Sequence, residues 1–209
     1  MKYLYNPPKL IKKIFNNIVW NSNNGIILTF DDGPIPKITE DILDKLDEIG
    51  VKAIFFTVGE NIKRYPNIAK SIVERGHQIG NHSYNHSKTS LFEPFSVQKE
   101  KIVKSNKIIY DNFGIRCKLY RPPHGRFNLD TLRIVKDLNM DLMLWSCLTY
   151  DYTGDFNKVK KAFKYLNKKS IITFHDSIKS GKIVVKSIDS LNKIVKDRNY
   201  RYNNDHIIK

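Results

Sequence analysis

The sequence predicts an α/β fold, an incomplete (β/α) barrel of six to seven parallel strands. Short apolar runs alternate with amphipathic stretches along the chain, a pattern typical of repeated strand-then-helix units with parallel strands. Polar residues with catalytic chemistry follow directly after several of these runs, and (β/α) barrels carry their active sites at that face. The chain has 209 residues, whereas a full barrel typically needs about 250, so we expect an incomplete barrel.

Strands and helices are predicted from the apolar runs and the amphipathic stretches between them. The predicted strands are Gly25–Phe30, Val51–Val58, His77–Gly80, Lys118–Tyr120, Met140–Trp145 and Ser170–Phe174, with Tyr200–Tyr202 as a weaker seventh. The predicted helices are Thr39–Ile49, Asn67–Glu74, Ser96–Phe113, Leu129–Leu138, Asn157–Leu166 and Ile183–Val195. Gly50, Gly76 and Gly114 stand where helices should end, and Ser96 and Asp130 stand where two should begin.

The chain is expected to form one domain over residues 25–209, preceded by an amphipathic segment over residues 1–24. No linker rich in proline, glycine or serine divides it. Apolar residues between Leu10 and Trp20 predict an amphipathic helix that packs on the barrel, with weak peripheral membrane contact as the alternative. The stretch from Met1 to Trp20 contains no bilayer-spanning run and no signal cleavage site. We therefore expect no transmembrane segment and a cytoplasmic location, with an export signal that was removed or is unconventional as the alternative.

The formal net charge of +15 raises the question of a nucleic-acid partner. Lysines outnumber arginines and are scattered along predicted helices, for example at Lys158, Lys161 and Lys164, rather than lining a groove with stacking aromatic residues. The sequence therefore predicts a monomer without a nucleic-acid partner. The charge favours attraction to an anionic polymer such as a cell-wall glycan.

Three residues with potential for metal or redox chemistry are expected to be structural. Cys117 and Cys147 lack the C-x-x-C spacing, so we expect free buried thiols, with a disulfide as the alternative. His77 lies at the start of a predicted strand, where a buried ring bonded to the backbone is expected.

The first chemical motif is the acidic pair in Thr29–Pro34, the segment that ends the first predicted strand. Adjacent carboxylates repel each other, so one is normally protonated or displaced unless a cation lies beside them. A divalent metal ion is the simplest such cation. Asp31 and Asp32 are therefore candidates for a metal-dependent site, whereas the alternative is an ordinary surface turn, in which Asp and Gly are common.

The second motif is the histidine pair His82 and His86, which follows the third predicted strand. A spacing of four lets both rings converge if the backbone turns helically after the strand. Two histidines and one carboxylate leave a metal ion with open positions, the arrangement of a catalytic rather than a structural zinc site. Asp32 is the candidate third ligand, and the alternative is a pair of exposed loop histidines.

Two further motifs, Arg121–Gly125 and Phe174–Asp176, also follow predicted strands. The arginine supplies a charged group that can orient a carboxylate, and the histidine of the last motif supplies an acid. Together with the metal ligands and the base of the first two motifs, these residues form a complete hydrolytic set.

In their order along the chain, the four motifs resemble those of the polysaccharide deacetylase family, the NodB-homology domains of carbohydrate esterase family 4. The resemblance runs from about Gly25 to His175 and beyond. It implies a distorted, incomplete (β/α) barrel that uses a metal ion to hydrolyse an N-acetyl group of an amino sugar. The roles it implies are Asp31 as catalytic base, Asp32, His82 and His86 as metal ligands, Arg121 as the residue that positions the base, and His175 as general acid.

Two motifs depart from the family pattern. His124 stands where the third motif commonly has tyrosine or phenylalanine, and Leu148–Tyr152 replaces a common Asp-x-x-Asp-Trp sequence. Since the family's oxyanion donor is the backbone N–H at this third-motif position, His124 can still supply it. Asp151 keeps the second aspartate and is expected to hold His175 in its cationic form. The altered aromatic residues, with Tyr152 as a substrate contact, bear on substrate shape more than on chemistry.

The predicted function is metal-dependent N-deacetylation of a glycan that contains N-acetylhexosamine, such as peptidoglycan or chitin; the family often acts at the cell envelope. Asp31, kept ionised by Arg121, would take a proton from water, and His175 would protonate the leaving amine. The expected metal is Zn²⁺, with Co²⁺, Ni²⁺ and Mn²⁺ as alternatives. Alternative functions are the same chemistry on another small amide or acetyl ester, and glycan binding without catalysis.

Overall fold

The computed structural model describes residues 4–205, and this part of the chain forms one parallel sheet of seven strands with helices packed against it. The strands are β1 (Ile27–Asp31), β2 (Ala53–Thr57), β3 (Gln78–Asn81), β4 (Leu119–Tyr120), β5 (Asp141–Leu142), β6 (Cys147–Leu148) and β7 (Ile171–His175). The helices are α1 (Lys9–Ile14), α2 (Ile38–Glu48), α3 (Gly59–Arg64), α4 (Pro66–Glu74), α5 (Phe95–Phe113), α6 (Leu129–Asp137), α7 (Phe156–Ala162) and α8 (Val184–Asp197).

The strand order is β5-β4-β3-β2-β1-β7-β6, with β1 in the interior of the sheet. Each pair of neighbouring strands is parallel. Within residues 4–205, β5 and β6 form the two edges and do not pair with each other, so the barrel is open on one side. The predicted incomplete (β/α) barrel of six to seven parallel strands is confirmed.

The register of the central strands brings their carboxyl ends to the same level. Asp31, at the end of β1, lies beside Phe56 of β2 and His175 of β7. Because side chains alternate between the two faces of a strand, Thr29 and Asp31 share the face of Ile27. The polar ends of β1 and β7 therefore meet at one edge of the sheet.

Apolar side chains cover both faces of the sheet. On the face packed against the helices, the ring of Phe30 stacks with those of Phe55 and Phe174, at centroid distances of 5.0 and 5.7 Å. A smaller buried cluster on the other face consists of Ile27, Ile54, Phe56, Leu119, Met143 and Ile171. Burial on both faces explains why β1 and β2 are continuous rather than alternating apolar runs.

The predicted helix ends are confirmed at three glycines, and one predicted helix start is corrected. Gly50, Gly76 and Gly114 have φ angles of 67°, 76° and 67°, in the left-handed region that glycine reaches without strain. Asn128 rather than Asp130 caps α6, because its side chain accepts a hydrogen bond from a backbone N–H of the first turn.

The seventh strand was predicted in the wrong place. Tyr200–Tyr202 forms only a single parallel bridge, between Ile26 and Tyr202, and is not a strand. The seventh strand is β6, which pairs with β7 through two residues. A two-residue strand carries no periodic pattern, so the sequence does not reveal it. The short helix α3, between β2 and α4, was also missed. Its six residues form fewer than two helical turns, which is too short for a helical period to show in the sequence.

The helix at the N-terminus is short and exposed. α1 has no buried residue, and the side chains of Leu10 and Ile14 are 67% and 60% exposed. The buried apolar residues of this segment lie outside the helix: Tyr5 precedes it, and Ile18 and Trp20 follow it. No helix within residues 4–205 is long and apolar enough to cross a membrane. The domain boundary at residue 25 remains a prediction, and residues 1–3 and 206–209 of the predicted ranges lie outside the described part of the chain.

The N-terminal segment crosses the open side of the barrel. At one edge, Val19 N–H donates to Leu142 O of β5 over 2.9 Å. At the other edge, Leu148 N–H of β6 donates to Tyr5 O over 2.8 Å. The segment thus contacts both edge strands that the open barrel leaves unpaired.

The structure confirms a structural role for the two cysteines and the histidine that were expected to have one. Cys117 and Cys147 are buried and are not joined by a disulfide. His77 is buried, and its Nδ1 accepts a hydrogen bond from Ala53 N–H over 3.1 Å. The rest of the chemistry-bearing residues gather at the carboxyl edge of the sheet.

Candidate active site

A cleft of about 950 Å³ lies at the carboxyl ends of the strands. This volume is in the range of small-molecule sites. Seven of the predicted site residues line it: Asp31, Asp32, His82, His86, His124, Tyr152 and His175. The other two, Arg121 and Asp151, are fully buried and contact lining residues. The structure therefore brings all nine together.

The acidic pair stands where β1 turns sharply away from the sheet. Asp31 is the last residue of β1, whereas Asp32 has a φ of 90°, so the two adjacent carboxylates point to different neighbours. Gly33 follows, and a Cβ there would lie 1.7 Å from Asp176 Oδ2. Only glycine permits this close approach of the loop to the end of β7.

Asp176 anchors the loop that carries the acidic pair, and the sequence analysis missed it. Its carboxylate accepts hydrogen bonds from Gly33 N–H (2.8 Å) and from the Thr39 hydroxyl (2.7 Å). Its own N–H donates to Asp31 O over 3.0 Å. Burial raises the pKa of Asp176 to about 7. The His-Asp sequence after β7 was the available signal, but only the fold shows that the aspartate turns inward.

Asp31 is paired with a buried guanidinium. Arg121 Nη1 donates to Asp31 Oδ1 over 2.7 Å and to Thr29 Oγ1 over 2.7 Å. Backbone carbonyls of Met143 and Leu144 accept from the other guanidinium nitrogens. The guanidinium is thus bonded on all sides, as a buried charge must be. It holds the Asp31 carboxylate in one orientation, with a charge-assisted hydrogen bond.

Asp32, His82 and His86 form a cluster whose ligand atoms all lie within 4.8 Å of one another. His86 Nε2 lies 3.3 Å and His82 Nε2 lies 3.7 Å from Asp32 Oδ1. Burial raises the pKa of Asp32, but the nearby histidines, His175 foremost, outweigh this effect and lower that pKa. An ionised carboxylate therefore faces both imidazole rings.

The tautomer of His82 is set by the backbone. Its Nδ1 lies 2.7 Å from Arg121 O, and since a carbonyl can only accept, Nδ1 carries the hydrogen and Nε2 presents its lone pair to Asp32. Burial lowers the pKa of His82 to about 4, so the ring is neutral near pH 7. The same arrangement of second nitrogen and carbonyl is common for histidines that bind metals.

The cluster fits a divalent metal ion. Asp32 Oδ1 is buried and accepts no hydrogen bond from any residue in the described range 4–205. A buried, ionised oxygen without a donor is costly, and a cation held between it and the two imidazole rings would remove that cost. Two nitrogen donors and one carboxylate are a donor set that suits Zn²⁺ and other first-row divalent ions.

The histidine pair converges by a route different from the predicted one. The backbone after β3 does not turn helically, because Ser83 has a φ of 69° and the segment forms bends. Ser83 N–H donates to Asn81 Oδ1 over 2.7 Å, which fixes the turn. The ring centroids of His82 and His86 are 5.0 Å apart. The spacing predicted the convergence correctly, but not its cause.

His175 stands at the end of β7 with Asp151 beneath it. Asp151 Oδ1 lies 2.7 Å from His175 Nδ1, and Asp151 Oδ2 accepts the backbone N–H of His175 over 2.8 Å. Burial lowers the pKa of His175, but the Asp151 carboxylate, with smaller contributions from Asp32 and Asp31, raises it to about 9. The ring is therefore cationic near pH 7.

Two aromatic rings flank this chemistry. Tyr152 meets His175 edge to face, with a centroid distance of 4.8 Å. His124 meets His86 in the same way at 4.4 Å. Burial, then the charges of His86 and Arg126, lower the pKa of His124.

Three further residues that line or support the cleft were not predicted from the sequence. Thr29 binds Arg121, Asn61 donates a hydrogen bond to Asp32 O, and Trp145 lines the cleft.

Comparisons with known proteins show which family this chain matches. The family model described as polysaccharide deacetylase matches residues 21–143. A peptidoglycan-N-acetylglucosamine deacetylase of Bacillus cereus is 39% identical over 62% of this chain and 46% of its own length. The peptidoglycan-N-acetylglucosamine deacetylase PgdA of Listeria monocytogenes is 30% identical over 87% of this chain and 38% of its own length. The chain thus spans less than half the length of these two relatives.

A solved structure covers the chain more completely. The crystal structure of a peptidoglycan N-acetylglucosamine deacetylase in complex with 4-naphthalen-1-yl-N-oxidanyl-benzamide superposes with a TM-score of 0.85 and 29% identity, over 94% of both chains. The open seven-stranded barrel is therefore the fold of these deacetylases.

Proposed function

The chain belongs to the polysaccharide deacetylase family, and we propose that it is a metal-dependent hydrolase that removes N-acetyl groups from a glycan containing N-acetylhexosamine. One observation carries this proposal. The cleft is lined by both a carboxylate bonded to Arg121 and a cationic imidazole bonded to Asp151, together with the cluster of Asp32, His82 and His86. Hydrolysis of an amide needs both a base and an acid, because water must lose a proton and the amine must gain one.

Asp32, His82 and His86 would hold the metal ion. When bound, it supplies Lewis-acid polarisation of the amide carbonyl and lowers the pKa of water. Zn²⁺ suits this donor set best, with Co²⁺, Ni²⁺ and Mn²⁺ as alternatives. The neutral His82 ring and its hydrogen bond to Arg121 O orient one ligand before the metal ion arrives.

Asp31 would act as the base. As the oxygen of water attacks the carbonyl carbon, an O–H bond of the water breaks and its proton passes to the Asp31 carboxylate. Arg121, which is itself bonded to the Thr29 hydroxyl, fixes the position of this group from below the cleft, where both residues are fully buried. The negative charge that develops on the carbonyl oxygen would be met by the backbone N–H of His124.

His175 would act as the acid. Its Nε2–H proton passes to the amide nitrogen as the C–N bond breaks, so the products are acetate and a free amine. The Asp151 carboxylate keeps the imidazole charged until that step and holds Nδ1. Tyr152, edge to face with His175, would contact the sugar ring on this side.

The substrate class is tested by measuring released acetate from three polymers with zinc-loaded protein. We expect release from peptidoglycan or from chitin oligomers, and release slowed by roughly a hundredfold or more in Asp31→Asn, which keeps an oxygen for Arg121 to bind. Release from acetylated xylan alone would instead indicate an acetyl esterase. Binding to these glycans without any release would indicate a non-catalytic relative.

A further inference from the structure

Residues that precede the family-matched region contact the acid half of the site. The family match begins at residue 21, yet Leu4 and Tyr5 bind the loop that carries Asp151. We name residues 4–5 the N-terminal strap. We propose that this strap is a positioning element for Asp151 and thereby for His175, an inference that rests on the proposed function for its catalytic meaning.

The strap holds the loop through hydrogen bonds made by the backbone of the strap. Leu4 N–H donates to the Tyr150 hydroxyl over 3.0 Å, and the same hydroxyl donates to Leu4 O over 3.2 Å. One residue further, Leu148 N–H donates to Tyr5 O over 2.8 Å. The strap therefore binds the loop on both sides of Thr149, directly before Asp151.

The strap also holds the loop through aromatic packing. Tyr5 is 8% exposed. Its ring meets Tyr150 edge to face at a centroid distance of 5.2 Å and stacks on Tyr165 at 5.6 Å. Tyr5 thus links the Asp151 loop to the turn after α7. A contact of this kind restricts the ring of Tyr150, the residue directly before Asp151.

The conformation of Tyr150 shows why the loop needs such support. Its φ is 58°, in the left-handed region that a bulky non-glycine residue rarely adopts. Such conformations persist only where the surroundings determine them, and they cluster at functional sites. Without the strap, Tyr150 would relax toward a common conformation, and the following residue, Asp151, would move.

Movement of Asp151 would be felt by His175. Thr149 also binds the Asp151 carboxylate, over 2.9 Å, so the strap adds to an existing support rather than replacing it. The other charged groups facing the His175 ring are Asp31 and Asp32 at the end of β1, and neither contacts the strap. A change at the strap can reach His175 through the Asp151 carboxylate or through the ring of Tyr152, whose centroid lies 5.7 Å from that of Tyr150 and 4.8 Å from that of His175. An Asp151→Asn background removes the first route and keeps the second.

The test is an NMR titration of His175 in zinc-loaded, histidine-labelled protein, with its signal identified by its absence from His175→Gln. In Tyr5→Ala we expect the pKa of His175 to fall by about half a unit or more, which is about a threefold change in its proton-dissociation constant. Tyr5→Phe keeps the ring and should restore the wild-type value. Leu10→Ser, an exposed change in the same segment, should have no effect.

A double-mutant cycle separates positioning from general loosening of the fold. In an Asp151→Asn background, Tyr5→Ala should produce no further shift, and an equal shift there would overturn the proposal. If Tyr5→Ala fails to fold, Tyr150→Phe, which removes only the hydroxyl bonds to Leu4, should show a smaller shift in the same direction. An unmoved titration in Tyr150→Phe would then overturn it.

The kinetic readout distinguishes this inference from the proposed function. Wild-type protein that releases no acetate contradicts the proposed function, while the titration still tests the strap. If the wild-type protein is active and folded Tyr5→Ala keeps the same alkaline limb in its pH profile of kcat/KM, only the proposed role of the strap is contradicted.

Discussion

At the scale of single residues, Asp31 and Asp32 are neighbours in sequence with different partners. Asp31 is bonded to the buried Arg121 guanidinium, whereas Asp32 faces His82 and His86. The turn at Asp32, with its φ of 90°, separates the two carboxylates. In the proposed mechanism, this division would let Asp31 accept a proton while Asp32 binds the cation.

The two carboxylates should therefore respond differently to the same substitution. Asp31→Asn removes the proton acceptor, so we expect kcat to fall by roughly a hundredfold or more, with the metal content unchanged. Asp32→Asn should lower the metal content as well. Metal analysis and acetate release on both purified variants decide the matter. Equal loss of metal from the two would show that their roles are not divided in this way.

The histidine cluster predicts the metal content of further variants. We expect the wild-type protein to bind about one zinc ion per chain, the stoichiometry of a three-ligand catalytic site, and His82→Ala and His86→Ala to bind clearly less. His124→Phe is the matched control, because this ring contacts His86 but lies outside the ligand cluster. Undiminished zinc in either alanine variant, or an equal loss in the control, would refute the assigned ligand set.

The residues with a motif could be found from the sequence, and those without one could not. Asp31, His82, Arg121 and His175 each follow an apolar run in a recognisable pattern. Asp176 stands beside His175 in the fourth motif, but nothing in the sequence marks its role. That role depends on the approach of the β1 loop, which is a tertiary contact. Buried hydrogen bonds between distant segments leave no periodic signal in a single sequence.

Asp176 predicts a pH dependence of stability. Its pKa is about 7 in the folded protein against an ordinary 3.8, so between these values the folded state holds a proton that the unfolded chain releases. Its contribution to stability is therefore present at low pH and lost as the pH rises to about 7. In metal-free protein, the melting temperature of Asp176→Asn relative to wild type should rise from pH 4 to pH 7 and then stay level. A constant difference across this range would contradict the buried, protonated state.

At the scale of elements, the loop after β6 carries Asp151, the residue that contacts His175. Asp151 binds both the ring and the backbone of His175, while the cap of α7 is supplied by Asp155, whose side chain accepts Asn157 N–H over 2.9 Å. The contacts therefore favour a role for Asp151 at His175 over a role in capping the next helix.

The same loop predicts a shift in the pH profile of kcat/KM. Because the Asp151 carboxylate favours the charged form of His175, Asp151→Asn should lower the pKa of the acid. We expect the alkaline limb to move to lower pH by about one unit, which corresponds to about 1.4 kcal/mol, with the acidic limb in place. Asp155→Ala, which removes the cap of α7, should lower stability and leave both limbs unchanged. An unmoved alkaline limb in Asp151→Asn would remove this residue from the mechanism.

Long elements were predictable and short ones were not. The central strands β1, β2 and β7 are buried on both faces and appear in the sequence as continuous apolar runs. In contrast, β6 has two residues and is defined by its hydrogen bonds to β7. Tyr200–Tyr202 has strand-like composition but meets the sheet only through one bridge. For both segments, pairing with a neighbouring strand decides whether the segment is a strand, and the sequence alone does not show this pairing.

At the scale of the whole molecule, the main feature is a barrel that is open on one side, with the cleft at the carboxyl ends of its strands. The edges β5 and β6 leave one side unpaired, and the N-terminal segment crosses it with hydrogen bonds to both. The net charge of +15 surrounds this framework with a field that attracts anionic polymers. The site itself depends on strand ends that come together from distant parts of the chain.

The most direct test of the account is the metal dependence of deacetylation, measured on both products. Zinc-loaded protein is incubated with N-acetylglucosamine oligomers or peptidoglycan, and released acetate and new amino groups are counted. We predict equal amounts of both, loss of both after chelation, recovery on adding zinc, and formation of both slowed by roughly a hundredfold or more in Asp31→Asn. Acetate release that survives complete removal of the metal, or none from any N-acetylated glycan by protein that holds its zinc, would contradict the account.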